Sequence, residues 1–388
     1  MLISVLAFVL VLSLLVFVHE AGHFFAARRA GMGVEEFGFG FPPRLVGVQR
    51  VRGRWRWVVG NRDHAPTGQS TIYSLNAVPL GGFVRITGED GGGAENPRSF
   101  SAKSYTRRAL VLVAGVGMNV LLSIVLFTIV FAIGAPQVLD GIPPGTVVRD
   151  HRVAIAGVLA ESPAARAGVQ PGDVVTAIGN QSVTTAAALQ EYVRAHGGES
   201  VELHILRGTQ AQVIVVQPEV LPGTGKTGVG VQLVETGIVR YPVHRAVVEG
   251  VRMTGYVFQE IIRSFAGLFQ GLIRDRTVSV DVTGPVGIAV LTGQVVQLGF
   301  IHLLQFAGVL SANLALLNVV PFPALDGGRL ALLLLEAIRR KSLRQTVERA
   351  IHTAGFLVLL VLIMLVTYRD LRQFGGGILA AMRTAVGF

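Results

Sequence analysis

The chain has no cysteine in its 388 residues. Disulfides, thiolate metal ligands and a cysteine nucleophile are excluded, so any metal must be held by His, Asp or Glu. Charge is also scarce: Asp, Glu, Lys and Arg supply 15% of the chain, against 51% hydrophobic residues. With a mean hydropathy of +0.56, that balance points to a membrane protein. No Asp, Glu, Lys or Arg precedes Glu20, and none stands between Asp281 and Asp326. The length gives room for two or more structural units.

Four segments stay apolar for the roughly 20 residues that a transmembrane helix needs. They run from Met1 to Ala27, from Ala109 to Ile133, from Gln297 to Leu317 within the uncharged stretch Val282 to Leu325, and from Ala350 to Tyr368. The first lacks the basic n-region and A-x-A site of a secretory signal, so it reads as a span. Between the spans, Arg28 to Arg108 carries thirteen Lys and Arg against six acids, while Asp140 to Asp281 carries twelve against thirteen. The positive-inside rule places the first loop and the basic stretch Arg329 to Arg349 on the cytoplasmic side, and the central region outside. Topology thus explains the net charge of +10, and nucleic acid is not expected as a partner.

The spans divide the chain. Residues 1-30 hold the first helix. Residues 31-106 form a cytoplasmic-side, membrane-associated β-region, because "VGVQRVRGRWRWVVG" alternates at period two and "STIYSLNAVPLGGFVRITG" carries edge-strand and hairpin signals. The second helix follows in 107-139. Residues 145-221 read as strand, short helix, strand, amphipathic helix and hairpin. That order, with "SPAARAGVQPGDVV", resembles a PDZ domain of the bacterial kind. An amphipathic, basic helix and connector fill 222-281, in the manner of a helix lying in the membrane interface. The third span and its end occupy 282-328, a cytoplasmic-side helix and loop 329-349, and the fourth span and tail 350-388. The expected class is a polytopic α-helical membrane protein with about four transmembrane helices, a membrane-associated β-region and an extracytoplasmic PDZ (α/β) domain.

The chemistry lies in "HEAGH", residues 19 to 23. On a helix, residues four apart differ by about 40° around the axis, so His19 and His23 share a face and can bind one metal ion. Glu20 lies about 100° round, where it can reach a water on the metal without ligating it. The plainer reading is a set of polar groups satisfied by neighbouring helices. Each ionisable group near mid-membrane costs roughly 2 to 3 kcal/mol or more, and a divalent cation supplies a partner for all of them. Catalytic zinc needs a third protein ligand and an open position. Asp326 in "NVVPFPALDGG" is the best candidate, since prolines and glycines break the helix there; capping the next helix is its alternative role. Glu336, beside "AIRRK" at an expected surface, is a weaker candidate.

These motifs together resemble the site-2 protease family, of the bacterial regulator-of-sigma-E protease type with a single PDZ domain. "YSLNAVPLGGFVRI" and "GPVGI" extend the resemblance over nearly the whole chain. It implies zinc (Zn2+) ligated by His19, His23 and Asp326, with Glu20 as general base. It also implies substrate positioning by Asn318 and by Asn119. Asn119 lies in "AGVGMN", which keeps Gly115 but has Val116 where the family often has proline. The implied activity is zinc-dependent intramembrane cleavage of single-pass membrane proteins, such as pre-trimmed anti-sigma factors or signal-peptide remnants, in a bacterial cytoplasmic membrane. Besides such substrates and the lipid bilayer, a C-terminal peptide at the PDZ domain is an expected partner. Two rivals are a PDZ-bearing adaptor with a degenerate metal site and a metal or proton transporter. The complete His-Glu-x-x-His plus Asp set argues against the first. The lack of repeated halves argues against the second.

Overall fold

The computed structural model describes residues 2–60, 70–89, 95–140, 142, 146–208, 210–221, 225–274, 283–341 and 343–386. In chain order the elements are α1 (Leu2–Arg29), β1 (Val34–Val51), β2 (Arg54–Val59), β3 (Ile72–Ile86), α2 (Tyr105–Ile133), β4 (Ala135–Val138), β5 (Val147–Val158), α3 (Pro163–Arg166), β6 (Val174–Ile178) and β7 (Gln181–Ser182). There follow α4 (Ala186–Ala195), β8 (Val201–Arg207), β9 (Gln210–Val216), β10 (Glu219–Val220), β11 (Thr227–Gly228) and β12 (Val231–Arg240). The chain closes with α5 (Val243–Arg274), α6 (Pro285–Leu298), α7 (Phe300–Val319), α8 (Asp326–Arg339) and α9 (Gln345–Val386). Two compact units result, one from Met1–Thr128 with Val247–Phe388 and the other from Ile129–Ala246.

In the first unit, α1, α2, α7 and α9 are long and apolar enough to cross a membrane. The third span begins later than the hydropathy suggests. Gly299 takes a φ of +110°, open to a residue without Cβ, and its backbone break separates α7 from the short apolar helix α6. Small and hydroxylated residues then tie the helices together. Ser123 of α2 donates to the Gly308 carbonyl of α7 at 3.0 Å and lies 3.3 Å from Thr254 of α5. Asp370 of α9, 2% exposed, accepts from the backbone amides of Gly284 at 3.2 Å and Gly287 at 2.7 Å. It thereby satisfies donors that the first turn of α6 leaves without helical partners.

The sheet of this unit is antiparallel. Phe37 of β1 pairs with Tyr73 on one side and Val84 on the other, both in β3. Both strands therefore run in two limbs, and the limb Gly82–Ile86 lies at an edge. The other edge is β2, joined to β1 through Arg52 and Gly53, both with positive φ, the conformation that a two-residue hairpin turn needs. The sheet is fixed to α1 by side chains: Phe37 lies 4.6 Å from Phe24 and 5.1 Å from Phe17, centroid to centroid. Ser13 of α1 donates to the Pro79 carbonyl at 2.8 Å and accepts from the Gly81 amide at 3.2 Å. The β3 limb that carries "PLGGFVRI" is thus held along the helix that carries "HEAGH".

The second unit has the strand, short helix, strand, helix and hairpin order expected from the sequence. Its main sheet runs β4-β12-β5-β6-β8-β9, with β7 paired to β6. Strand β12, which lies beyond the stretch 145-221, stands between β4 and β5. Val153, Ile155, Val175, Ile178, Leu189, Val193, Leu203 and Ile205 form its core. Burying such aliphatic side chains contributes on the order of 1.5–3 kcal/mol each before entropy is counted. Ser162 and Thr185 cap α3 and α4, each accepting a backbone amide three residues on. Buried Asp173 accepts two hydrogen bonds from Arg207, at 2.8 and 2.7 Å, and one from the Gln170 amide at 2.9 Å. The Arg207 guanidinium holds this carboxyl below the usual range, against the opposing effect of burial.

Candidate metal centre

His19 and His23 lie on one face of α1, as their spacing requires, and both are buried. Asp326, some three hundred residues away, is the first residue of α8 and meets them. The N-cap of α8 is Leu325, and no side chain caps that end. The capping role is therefore not what the Asp326 side chain does. Its Oδ2 lies 3.0 Å from His19 Nε2 and 3.2 Å from His23 Nε2, and the two ring nitrogens are 3.2 Å apart. The three residues form a group able to hold a metal ion.

The triangle fits a zinc ion. Ligands placed tetrahedrally about 2.0–2.1 Å from zinc stand about 3.3–3.4 Å from one another, close to all three edges. Although Asp326 Oδ2 is buried beside two nitrogens, it makes no hydrogen bond. His23 Nδ1 lies 2.8 Å from the Val111 carbonyl, which can only accept. Nδ1 therefore donates, and Nε2 presents its lone pair to the centre. With the His23 ring neutral, that lone pair meets the Asp326 carboxylate at 3.2 Å, and the two repel unless a cation stands between them.

Helix α2 shapes the other side. At Gly115 a Cβ would stand 2.4 Å from His23 Nε2 and 2.8 Å from His19 Cε1; at Gly22 it would stand 2.4 Å from the Ala114 carbonyl oxygen. Only glycine at both positions lets α1 and α2 approach this closely. Four residues after Gly115, fully buried Asn119 sets its amide 3.2 Å from His19 Nδ1. Glu20 accepts a hydrogen bond from the Val84 amide on the edge limb of β3 at 3.1 Å. Asn318 is half-buried near the end of α7.

Behind Asp326, the loop 320–325 is braced by α9. Ala324, at a φ of +82°, donates its amide to His352 Nδ1 at 3.2 Å. Glu336, the weaker ligand candidate, belongs elsewhere. It is 5% exposed rather than at a surface, accepts from Arg108 at 3.3 Å and from the Leu343 amide at 2.8 Å, and these contacts account for its charge. Sequence reasoning missed the Val84 amide and the Val111 carbonyl, because backbone groups carry no side-chain signature.

Comparison with known proteins identifies the family. The profile of peptidase family M50 matches residues 7–60 and 64–362. A putative zinc metalloprotease of Agrobacterium fabrum is 30% identical over 397 residues, covering 96% of both chains. One of Clostridium perfringens is 32% identical over 363 residues, covering 93% of this chain and 96% of its own. The zinc metalloprotease RasP of Geobacillus kaustophilus is 28% identical over 453 residues, covering 96% and 98%. A solved PDZ domain of an SdrC-like protein from Listeria monocytogenes aligns with 21% of this chain and 85% of its own, at 21% identity and a TM-score of 0.20. The chain belongs to peptidase family M50 and is a metalloendopeptidase of the site-2 type.

Proposed function

We propose that this chain is a zinc-dependent intramembrane endopeptidase that cuts single-pass membrane proteins. The observation that carries the reading is the convergence of His19, His23 and Asp326 to within 3.0–3.2 Å, beside Glu20 on an apolar helix long enough to span a bilayer. His19 and His23 hold zinc through Nε2 and Asp326 through a carboxylate oxygen. When bound, zinc supplies Lewis-acid polarisation of the scissile carbonyl and activates water at neutral pH. Glu20 takes the proton of the attacking water and returns it to the leaving amine. The Val84 amide holds one Glu20 oxygen and leaves the other for that proton.

A transmembrane helix hides its carbonyls in its own hydrogen bonds, so the substrate must unwind before attack. The edge limb Gly82–Ile86 is paired on one side only and can receive the unwound segment as an added strand. Asn318, whose side chain makes no hydrogen bond to another described residue, holds its backbone. Asn119 acts from inside the centre. The basic loops lie on the cytoplasmic side of a bacterial cytoplasmic membrane and the unit Ile129–Ala246 lies outside, as the charge distribution favours. This outer PDZ-like unit either docks a newly exposed C-terminus or excludes substrates not yet trimmed.

Glu20→Gln tests the reading. The variant keeps zinc at the wild-type stoichiometry and loses cleavage of a single-pass substrate in detergent. Cleavage at the wild-type rate would remove Glu20 from the mechanism.

A further inference from the structure

The outer partners of the two histidines both come from α2, and they are chemically unlike. His23 uses the backbone carbonyl of Val111, which can only accept. His19 uses the side chain of Asn119, which can accept through Oδ1 or donate through Nδ2. With His19 Nε2 turned to the centre, a ligating His19 carries its proton on Nδ1, so the group facing it must accept. The nearer amide atom is Nδ2, at 3.2 Å, while Oδ1 is buried without a partner. The ends of an asparagine amide are told apart only by their hydrogen bonds. Turning this one over removes the donor-to-donor contact and gives Oδ1 the Nδ1 proton. The backbone at Asn119 is fixed independently, since Ser311 of α7 donates to its carbonyl at 2.8 Å.

We infer that Asn119 is a positioning residue for the metal centre. Through Oδ1 it holds the Nδ1–H tautomer and ring orientation of His19, as the Val111 carbonyl does for His23. This rests on His19 being a metal ligand. It gives Asn119 a role on the enzyme's own histidine rather than on the substrate, and it explains why α2 sets a glycine and an asparagine four residues apart on the face toward α1. At Gly115 the helix makes room for the rings, and at Asn119 it orients one of them.

The test is zinc affinity of the purified full chain, measured by competition with chelators, beside the absorption spectrum of the cobalt-substituted protein. Asn119→Leu fills similar volume without an acceptor. It should still bind one zinc at saturation, release it about 10- to 100-fold more readily, and shift the cobalt bands. Asn119→Asp, which can only accept when ionised, should restore both affinity and spectrum. Ser311→Ala touches the Asn119 backbone but not the ring, and should leave the cobalt bands in place. Zinc affinity in Asn119→Leu within twofold of wild type, or equal weakening in the Leu and Asp variants, overturns the inference. Retention of zinc by His19→Ala overturns the metal reading and this inference together, whereas its loss there with no effect of Asn119→Leu overturns the inference alone.

Discussion

The Val84 amide donates to the Glu20 carboxylate across 3.1 Å, joining an edge strand to the helix that carries the metal-binding motif. This bond does two things at once. It orients Glu20, the proposed acid-base residue, and it sets the level at which an added strand would pass the centre. Because Val84 spends its N–H on Glu20, it does not spend it on the β1 ladder, so proline at this edge position removes one donor without breaking the sheet.

Val84→Pro should therefore fold and keep zinc while cleaving more slowly. A hydrogen bond to a charged group contributes about 1.5–3 kcal/mol, so cleavage should fall roughly ten- to a hundredfold. Rate assays at matched zinc occupancy check this, and an unchanged rate would show that Glu20 needs no support from β3.

Gly115→Ala places a methyl group within 2.4 Å of His23 Nε2, and the helix must shift to admit it. Zinc occupancy should fall severely. Gly117→Ala, two residues on in the same helix, meets nothing within 4 Å and should leave zinc untouched, with a slight gain from helix propensity. Metal analysis of the pair separates a steric requirement at the centre from a general demand for glycine in α2.

Asp370→Ala removes the acceptor for the Gly284 and Gly287 amides and leaves the first turn of α6 unsatisfied. The expected cost is about 3 kcal/mol, read as a lower unfolding midpoint in detergent. Zinc stoichiometry should be unchanged, because Asp370 makes no contact with the three converging residues. A midpoint equal to wild type would mean that water or lipid replaces the carboxylate.

In the unit Ile129–Ala246 the Asp173 carboxyl is held below its ordinary range, chiefly by Arg207. A depressed acid contributes stability that is present above its unfolded pKa, about 3.9, and is lost as pH falls through the folded value. The wild type should therefore lead Asp173→Asn in unfolding midpoint at pH 6, and the gap should close below about pH 4. A gap that stays constant down to pH 3 would assign the difference to packing instead.

Much of this was legible in the chain itself. The four-residue spacing places His19 and His23 on one helix face, and the uncharged run before Asp326 marks that acid as the one needing a partner. The β1 limb Val34–Phe41 was not legible, because "VEEFGFGF" mixes acids and glycines and is stabilised by pairing with both limbs of β3. The break at Gly299 lies in an uninterrupted apolar run, where hydropathy sees no boundary. "GPVGI" was visible as a motif without a purpose until Asp370 was found on its amides. Glu336 looked exposed beside arginines, and is buried because one arginine it pairs with, Arg108, comes from another helix.

Zinc content of Asp326→Ala tests the central claim most directly, because that residue enters the centre only if the chain folds as described. The wild-type protein should hold one zinc per chain, and the variant should lose it while keeping the unfolding midpoint of a neutral control such as Gly117→Ala. Wild-type zinc affinity in Asp326→Ala would contradict the assignment of this site.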